Sequence, residues 1–166
     1  MPVTGITKDT DTRTLVITAE FAAPVERVWA LYADPRRLEK VWGPPTYPAT
    51  FVDHDLRPGT RTTYYMTSPE GEKFAGYWDI TRVEEPHRLS FLDGFAHEDL
   101  TPNPDLPVGE NDYTFEATSA GTRAVYTSTY ATAEALQTVL DMGVEEGATA
   151  AINQIDGFLA QDEARR

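Results

Sequence analysis

The hydrophobic positions in the C-terminal part of the chain repeat with the period of a helix. Over residues 132–161, apolar or small residues recur every three or four positions, which is the spacing of a helix buried on one side. They are Leu136, Leu140, Gly143, Val144, Gly147, Ala148, Ala151, Ile155 and Leu159. The pattern predicts one continuous helix, about 40 Å long at roughly 1.5 Å per residue.

Two glycines on this apolar stripe need a physical reason. Inside a helix, Gly143 and Gly147 would each cost roughly 1 kcal/mol relative to alanine. Either they let a sheet approach the helix closely, or they leave room for a molecule held between helix and sheet. The second alternative predicts a protein that encloses a ligand.

The rest of the chain is dominated by strand patterns. Residues 14–21 read as a strand, Pro24 then suits the first turn of a helix over residues 25–33, and residues 36–41 form a further helical turn. The remaining strand segments, separated by Gly- and Pro-containing turns, are 49–56, 61–67, 74–81, 88–95, 112–118 and 122–131. Residues 1–11 carry no regular pattern and are predicted to be irregular. Residues 96–111 contain three prolines and are predicted to form a long loop that gates a site.

This order of elements predicts an α+β fold. A run of hairpin-connected strands followed by a terminal helix gives a curved antiparallel sheet of about seven strands wrapped around a long C-terminal helix, with two short helices after the first strand. A chain of 166 residues is long enough for one domain with a substantial core. We therefore expect a single domain over residues 1–166, with an ordered core of about residues 14–161.

Charge and composition exclude several classes of function. The 14 basic and 27 acidic residues give a net charge of −13, which disfavours binding to nucleic acid or to anionic membranes. The chain has no cysteine, and hence no disulfide, thiol nucleophile or thiolate metal site. No run of 18 apolar residues and no glycine-rich phosphate loop is present. The predictions are a cytoplasmic location, no nucleic-acid or membrane partner, and no cofactor.

Several short motifs together resemble a known superfamily. They are the helix opening 24–29, Asp34-Pro35, Trp42-Gly43-Pro44, Leu56-Arg57-Pro58-Gly59, Gly71, Gly76 and the turn 85–89. In this order they resemble the helix-grip superfamily, also called START-like, birch-pollen-allergen-like or SRPBCC. Within it the chain looks like the branch named for the activator of the heat-shock-protein-90 ATPase. The resemblance covers residues 15–159. Val41 and the pair Gly59-Thr60 depart from the usual pattern, which affects local packing only.

The resemblance implies a cavity between the sheet and the C-terminal helix. Relatives use such a cavity for lipids, polyketides, hormones and similar apolar molecules, so the expected partner is a small, largely apolar molecule. Two alternatives stay open: a cyclase- or hydratase-like enzyme acting on such a molecule, and a co-chaperone that stimulates a chaperone ATPase through surface contacts. A homodimer through an exposed strand edge also stays open.

The candidate ligand-binding residues come from the strands and from the C-terminal helix. Aromatic residues on the apolar phase of their strands are predicted to line the cavity, although each could instead fill the core. The predicted ligand-binding set is His54, Tyr64, Phe74, Trp78, Phe91, Tyr113, Leu140, Gly143, Val144 and Gly147. Trp29 and Trp42 are predicted to brace one end of the fold rather than to contact a ligand.

His54 is the one residue named as a catalytic candidate, and the enzyme alternative needs either it or a buried aspartate as the base. It alternates with Val52 and Leu56, so we expect it on the inward face, where it could orient a ligand or act as a general base. The favoured alternative is a hydrogen-bonded histidine at the rim of the sheet. The acidic segment 93–99 surrounds His97 with three carboxylates, but its spacing matches no metal motif, and no metal site is predicted.

Overall fold

The computed structural model describes residues 2–164, so Met1, Arg165 and Arg166 of the predicted domain lie outside the described residues. Within residues 2–164 the chain forms eight strands and five helices. The strands are β1 (Val3–Asp9), β2 (Thr14–Phe21), β3 (Ala49–Asp53), β4 (Arg61–Thr67), β5 (Lys73–Glu84), β6 (Arg88–Ala96), β7 (Gly109–Thr118) and β8 (Gly121–Tyr130). The helices are α1 (Val25–Ala33), α2 (Pro35–Leu38), α3 (Ala133–Asp141), α4 (Val144–Ile152) and α5 (Ile155–Ala164).

The eight strands form one curved antiparallel sheet in the order β1-β2-β8-β7-β6-β5-β4-β3. The pairing of β2 with β8 brings the two halves of the chain together and leaves β1 and β3 at the edges. The helices cover the concave face. The predicted α+β fold is confirmed, with eight strands where about seven were expected.

The extra strand is β1, in a segment predicted to be irregular. Five of its seven side chains are exposed, so its sequence lacks the alternation that marks a half-buried strand. The strand is formed by main-chain pairing with β2, from Val3 opposite Ala19 to Asp9 opposite Thr14. Backbone hydrogen bonds do not depend on side-chain polarity, which is why the hydrophobic pattern missed it.

The C-terminal helix is divided into three segments rather than continuous. Gly143, predicted to lie inside the helix, has a φ of +88° and separates α3 from α4. This left-handed conformation interrupts a right-handed helix and is readily adopted only by glycine. Residues 153 and 154 separate α4 from α5, and their side chains bind backbone groups elsewhere: Asn153 accepts from the Val3 amide and Gln154 donates to the Gly43 carbonyl. Among the helices of residues 2–164, none combines the length and apolar character needed to cross a bilayer.

The concave face of the sheet has two differently filled ends. At one end α1 packs on the sheet, with Trp29 and Tyr32 against Phe115, and the aromatic core is closed. At the other end the strands run past α1 and face α3, α4 and α5 across open space. Two boundaries differ from those predicted from the sequence. Strand β3 ends at Asp53 rather than at residue 56, and the long loop spans residues 97–108 rather than 96–111.

Candidate ligand-binding cavity

A cavity of about 700 Å³ lies between the concave face of the sheet and the C-terminal helices. This volume is within the range of small-molecule sites. Its walls are mostly aliphatic and aromatic side chains. The lining residues are Leu15, Ile17, Tyr32, Leu38, Val41, Trp42, Pro44, Tyr47, Tyr64, Met66, Phe74, Asp93, Gly94, Phe95, Pro107, Asn111, Tyr113, Tyr126, Ser128, Tyr130, Val139, Met142, Gly143, Val144, Gly147, Ala148, Ala151, Ile152 and Ile155.

Small residues on α4 keep the cavity open on the helix side. Gly147, Ala148 and Ala151 all line it. A β-carbon added at Gly147 would meet nothing within 4 Å, so this glycine does not allow close packing against the sheet. Two reasons for a glycine on this stripe were considered: close approach of the sheet, or space for a bound molecule. The structure around Gly147 agrees with the second.

The cavity opens to the surface beside two exposed apolar side chains. Phe74 on β5 and Met142 at the end of α3 line the cavity, and each is 52% exposed. The Phe74 ring packs against Tyr47, with ring centroids 6.1 Å apart. Pro107 brings the loop 97–108 to the same cavity. That this loop gates entry remains a prediction.

Polar residues interrupt the apolar wall at one place. Asp93 on β6, Asn111 on β7 and Ser128 on β8 occupy inward positions on three neighbouring strands, and all three line the cavity. The Ser128 hydroxyl donates to the Asn111 side-chain oxygen, and the Asn111 side chain in turn faces the Asp93 carboxyl. Because Asn111 accepts through its oxygen, its NH₂ group is left to donate to Asp93.

Tyr64 reaches the same carboxyl from β4, two strands away. Its direct neighbour on β5 is Gly76, whose missing side chain leaves space that the Tyr64 ring occupies. A β-carbon at residue 76 would lie 2.5 Å from the Tyr64 hydroxyl oxygen. The ring therefore extends across β5, and its hydroxyl faces the Asp93 carboxyl on β6. The indole N–H groups of Trp42 and Trp78 face the same hydroxyl, although among the described atoms neither makes a hydrogen bond of ordinary geometry.

The environment of Asp93 opposes its ionisation. Burial raises the pKa of the Asp93 carboxyl to about 7, and the neighbouring Tyr64 and Asn111 donors act in the opposite direction. Burial also raises the pKa values of Tyr64 and Tyr113 well above the ordinary value, and the nearby Asp93 adds to both shifts. Near neutral pH, Asp93 is thus the one group in this cluster able to gain or lose a proton.

The structure brings six of the ten predicted site residues to the cavity. Those that line it are Tyr64, Phe74, Tyr113, Gly143, Val144 and Gly147. The other four, His54, Trp78, Phe91 and Leu140, do not. Trp78 and Phe91 stack on each other, with ring centroids 4.2 Å apart, in the closed aromatic core beyond the cavity. Trp42, predicted to brace the fold, is instead a lining residue.

His54 follows β3 and is held by two hydrogen bonds. Its Nε2 donates to the Tyr32 carbonyl at 2.6 Å, and its Nδ1 lies 2.8 Å from the Thr62 hydroxyl. A β-bulge between Phe51 and Asp53 disturbs the expected alternation, and Val52 is half exposed rather than inward. Burial lowers the pKa of His54. Both ring nitrogens therefore have hydrogen-bond partners, one near the end of α1 and one on β4, which agrees with the hydrogen-bonded histidine of the favoured alternative.

The acidic segment around His97 does not converge on one point. Asp93 faces the cavity, whereas Asp99 accepts hydrogen bonds from the amide and the hydroxyl of Thr101. Among the side chains of residues 2–162, no three from His, Cys, Asp or Glu lie close enough together to hold a metal ion.

Sequence reasoning missed Asp93, Asn111 and Ser128 as a group. The sequence pattern places Asp93 in the acidic segment and Asn111 in the predicted loop, yet both occupy the inward phase of their strands. The available signal was a polar residue between inward apolar ones: Phe91, Asp93, Phe95 on β6, and Tyr126, Ser128, Tyr130 on β8. A polar residue at such a position costs stability unless it is paired, which makes it informative.

Comparisons with known proteins agree with this architecture. The family model described as "Activator of Hsp90 ATPase homolog 1-like protein" matches residues 22–160. The crystal structure of protein Ms6760 from Mycobacterium smegmatis is 70% identical over 95% of this chain and 97% of that one, with a TM-score of 0.89. A solution structure from Arthrobacter aurescens is 43% identical over 95% and 91%, with a TM-score of 0.90.

A more distant solved structure has the same fold. Protein NE0264 from Nitrosomonas europaea is 28% identical over 92% of this chain and 97% of that one, with a TM-score of 0.80. No protein with a curated description matches the chain. The resemblance drawn from the sequence motifs is confirmed.

Proposed function

Because the chain belongs to the family of activator of Hsp90 ATPase homolog 1-like proteins, and because its fold encloses a cavity, we propose that it binds a small, largely apolar molecule between the sheet and the C-terminal helices. The observation that carries the proposal is the cavity of about 700 Å³ with mainly aliphatic and aromatic walls. Moving an apolar ligand from water into such a site is favourable by roughly 25 cal/mol per Å² of apolar surface buried.

Two further features support this proposal. The space is maintained by residues whose replacement with ordinary helix formers would fill it, above all Gly147 on α4. Leaving a large apolar cavity unfilled costs stability, since its lining side chains lose packing partners. A ligand in this space would recover those contacts.

Native mass spectrometry of the purified protein, followed by identification of the molecules released on denaturation, tests the proposal. We expect an apolar molecule bound in near-stoichiometric amount, or its recovery after incubation with a cellular lipid extract. If neither treatment gives a bound species, while the protein is folded by circular dichroism, the proposal is wrong.

A second candidate function is a cyclase- or hydratase-like reaction on the bound molecule. It requires a proton-transfer group inside the cavity, and the pair of Asp93 and Tyr64 provides one. A carboxyl whose pKa lies near the working pH is suited to general acid–base catalysis. Incubating the released molecule with wild-type and Asp93→Asn protein, and analysing for conversion, separates turnover from binding alone.

The co-chaperone alternative predicts an accessible apolar surface. Phe74 and Met142 supply exposed apolar area, but they do so at the cavity mouth, which fits ligand entry equally well. Stimulation of a chaperone ATPase by the purified protein, lost in Phe74→Ser, would favour this alternative. The expected cytoplasmic location and a homodimer through an edge strand remain predictions, the latter measurable by light scattering.

A further inference from the structure

The cavity contains a single acidic group and no basic one. Among its described lining residues Asp93 is the only carboxylic acid, and none is lysine, arginine or histidine. On β4 and β6 the arginines lie on the opposite face of the sheet and are paired there, Arg61 with Asp79 and Arg88 with Asp112. Asp93 is therefore the only charged side chain in the described lining with which a charged group of the ligand would interact.

Neighbouring groups orient the Asp93 carboxyl but do not occupy all of its hydrogen-bond acceptor sites. The Tyr64 hydroxyl and the Asn111 side chain both face it, and the hydrogen bond of Ser128 to Asn111 fixes the amide orientation. An ionised carboxylate offers about four acceptor sites. Two donors leave capacity on the oxygens of a side chain that faces the cavity.

A carboxylate that faces an apolar cavity without a cationic partner is costly to the folded protein, so its retention calls for a compensating partner. A ligand cation would supply that partner. The aromatic rings of Trp42, Tyr113 and Tyr130 also line the cavity, and ring faces attract cations. The net charge of −13 further favours the approach of a cation over that of an anion.

From this arrangement we infer that the ligand of the cavity is an apolar molecule bearing one protonated amine, which ion-pairs with Asp93. The inference rests on the proposed function, because it concerns the same cavity. It excludes fatty acids and other apolar carboxylates as preferred ligands, since their charge would face Asp93 with no cation to offset the repulsion.

Three naphthalene probes of nearly equal size test this preference: 2-(1-naphthyl)ethylamine, 2-(1-naphthyl)ethanol and 1-naphthylacetic acid. Calorimetric titration of wild-type protein at pH 8 should rank the amine tightest and the acid weakest. In Asp93→Asn the amine should lose about tenfold or more in affinity, because its charge loses its partner, while the alcohol changes little. Asp105→Asn, the same substitution at an exposed position of the loop 97–108, should leave all three unchanged.

The pH dependence gives a second, independent readout. The other titratable groups lining the cavity in the described residues are tyrosines: Tyr32 from α1, Tyr47 from the loop before β3, Tyr64 from β4, Tyr113 from β7, and Tyr126 and Tyr130 from β8. The helices α3, α4 and α5 contribute no titratable lining residue within the described range. Amine affinity should therefore rise between pH 5.5 and 8 as the Asp93 carboxyl ionises, whose pKa is about 7. A neutral ligand accepting a proton from Asp93 would show the opposite trend.

The three probes separate the preference for an amine from binding in the cavity as such. Binding of the alcohol without a preference for the amine, or an unchanged amine-to-alcohol ratio in Asp93→Asn, would overturn the inference and leave the apolar cavity as a binding site. Tightest binding by the acid would overturn it as well. If none of the three binds to folded protein, the inference fails, and the mass-spectrometric experiment then decides separately whether the proposed function fails with it.

Discussion

Gly76 on β5 lies directly under the hydroxyl group of Tyr64: a β-carbon at residue 76 would be 2.5 Å from that oxygen and 2.6 Å from the adjoining ring carbon. The two residues are cross-strand neighbours in the β4–β5 ladder. Because Gly76 has no side chain, the Tyr64 ring on β4 can pass over β5 and reach Asp93 on β6.

Gly76→Ala is therefore expected to push the Tyr64 ring toward the cavity and away from Asp93. The cost should be about 1–3 kcal/mol in the free energy of unfolding, which is typical of overpacking a buried site. Urea unfolding measures it. Gly5→Ala on β1 is the control, since a β-carbon there meets nothing within 4 Å. Equal stabilities of the two variants would show that Tyr64 does not depend on Gly76.

Gly147→Leu should reduce ligand binding by filling the cavity from the helix side. The new side chain enters open space, so we expect the fold to persist while the affinity of the bound molecule falls by about tenfold or more through lost volume and contacts. Titration with the native ligand or a naphthalene probe measures this.

Gly157→Leu is the matched control for that substitution. Gly157 is exposed on α5, does not line the cavity and has nothing within 4 Å of an added β-carbon. Unchanged affinity in a folded Gly147→Leu protein would place the ligand elsewhere.

Asp93→Asn should stabilise the protein at alkaline but not at acidic pH. The carboxyl pKa is raised from 3.8 to about 7 on folding, so between these values the folded state holds a proton that the unfolded state has released. Stability contributed by this group is thus lost as pH rises through that window. At pH 8 the penalty is on the order of a few kcal/mol, and asparagine removes it.

Urea unfolding of wild type and Asp93→Asn at pH 4.5 and pH 8 checks the sign. The stability of the variant relative to wild type should be greater at pH 8 than at pH 4.5. A difference that is independent of pH would mean that the folded carboxyl titrates as it does in the unfolded chain.

The hydroxyl groups of Tyr32 and Tyr126 should be energetically coupled. They lie 2.8 Å apart and join α1 to β8 inside the core. Either single change to phenylalanine leaves one buried hydroxyl without this partner and should cost about 1–2 kcal/mol. The double variant Tyr32→Phe/Tyr126→Phe should cost less than the sum of the two. Strict additivity in the double-mutant cycle would show that the contact contributes nothing.

The sequence by itself determined the order of the elements, the α+β class and the inward face of most strands. Alternation on β2 and β6, and the three-to-four spacing around Leu136 and Ile155, reflect burial that is local to each element. The strand β1 and the break at Gly143 were missed because main-chain pairing and a positive φ leave little trace in hydrophobic periodicity.

Only the tertiary structure decided which inward residues meet the cavity. Phe91 and Asp93 share one face of β6, yet the first lies in the closed core and the second lines the cavity. Alternation specifies the face of a strand but not the position along it, which depends on the register of eight strands and on where α1 ends and α4 begins. For the same reason Tyr64 meets Asp93 across Gly76: that contact joins residues 29 positions apart through two ladders, and no local pattern encodes it.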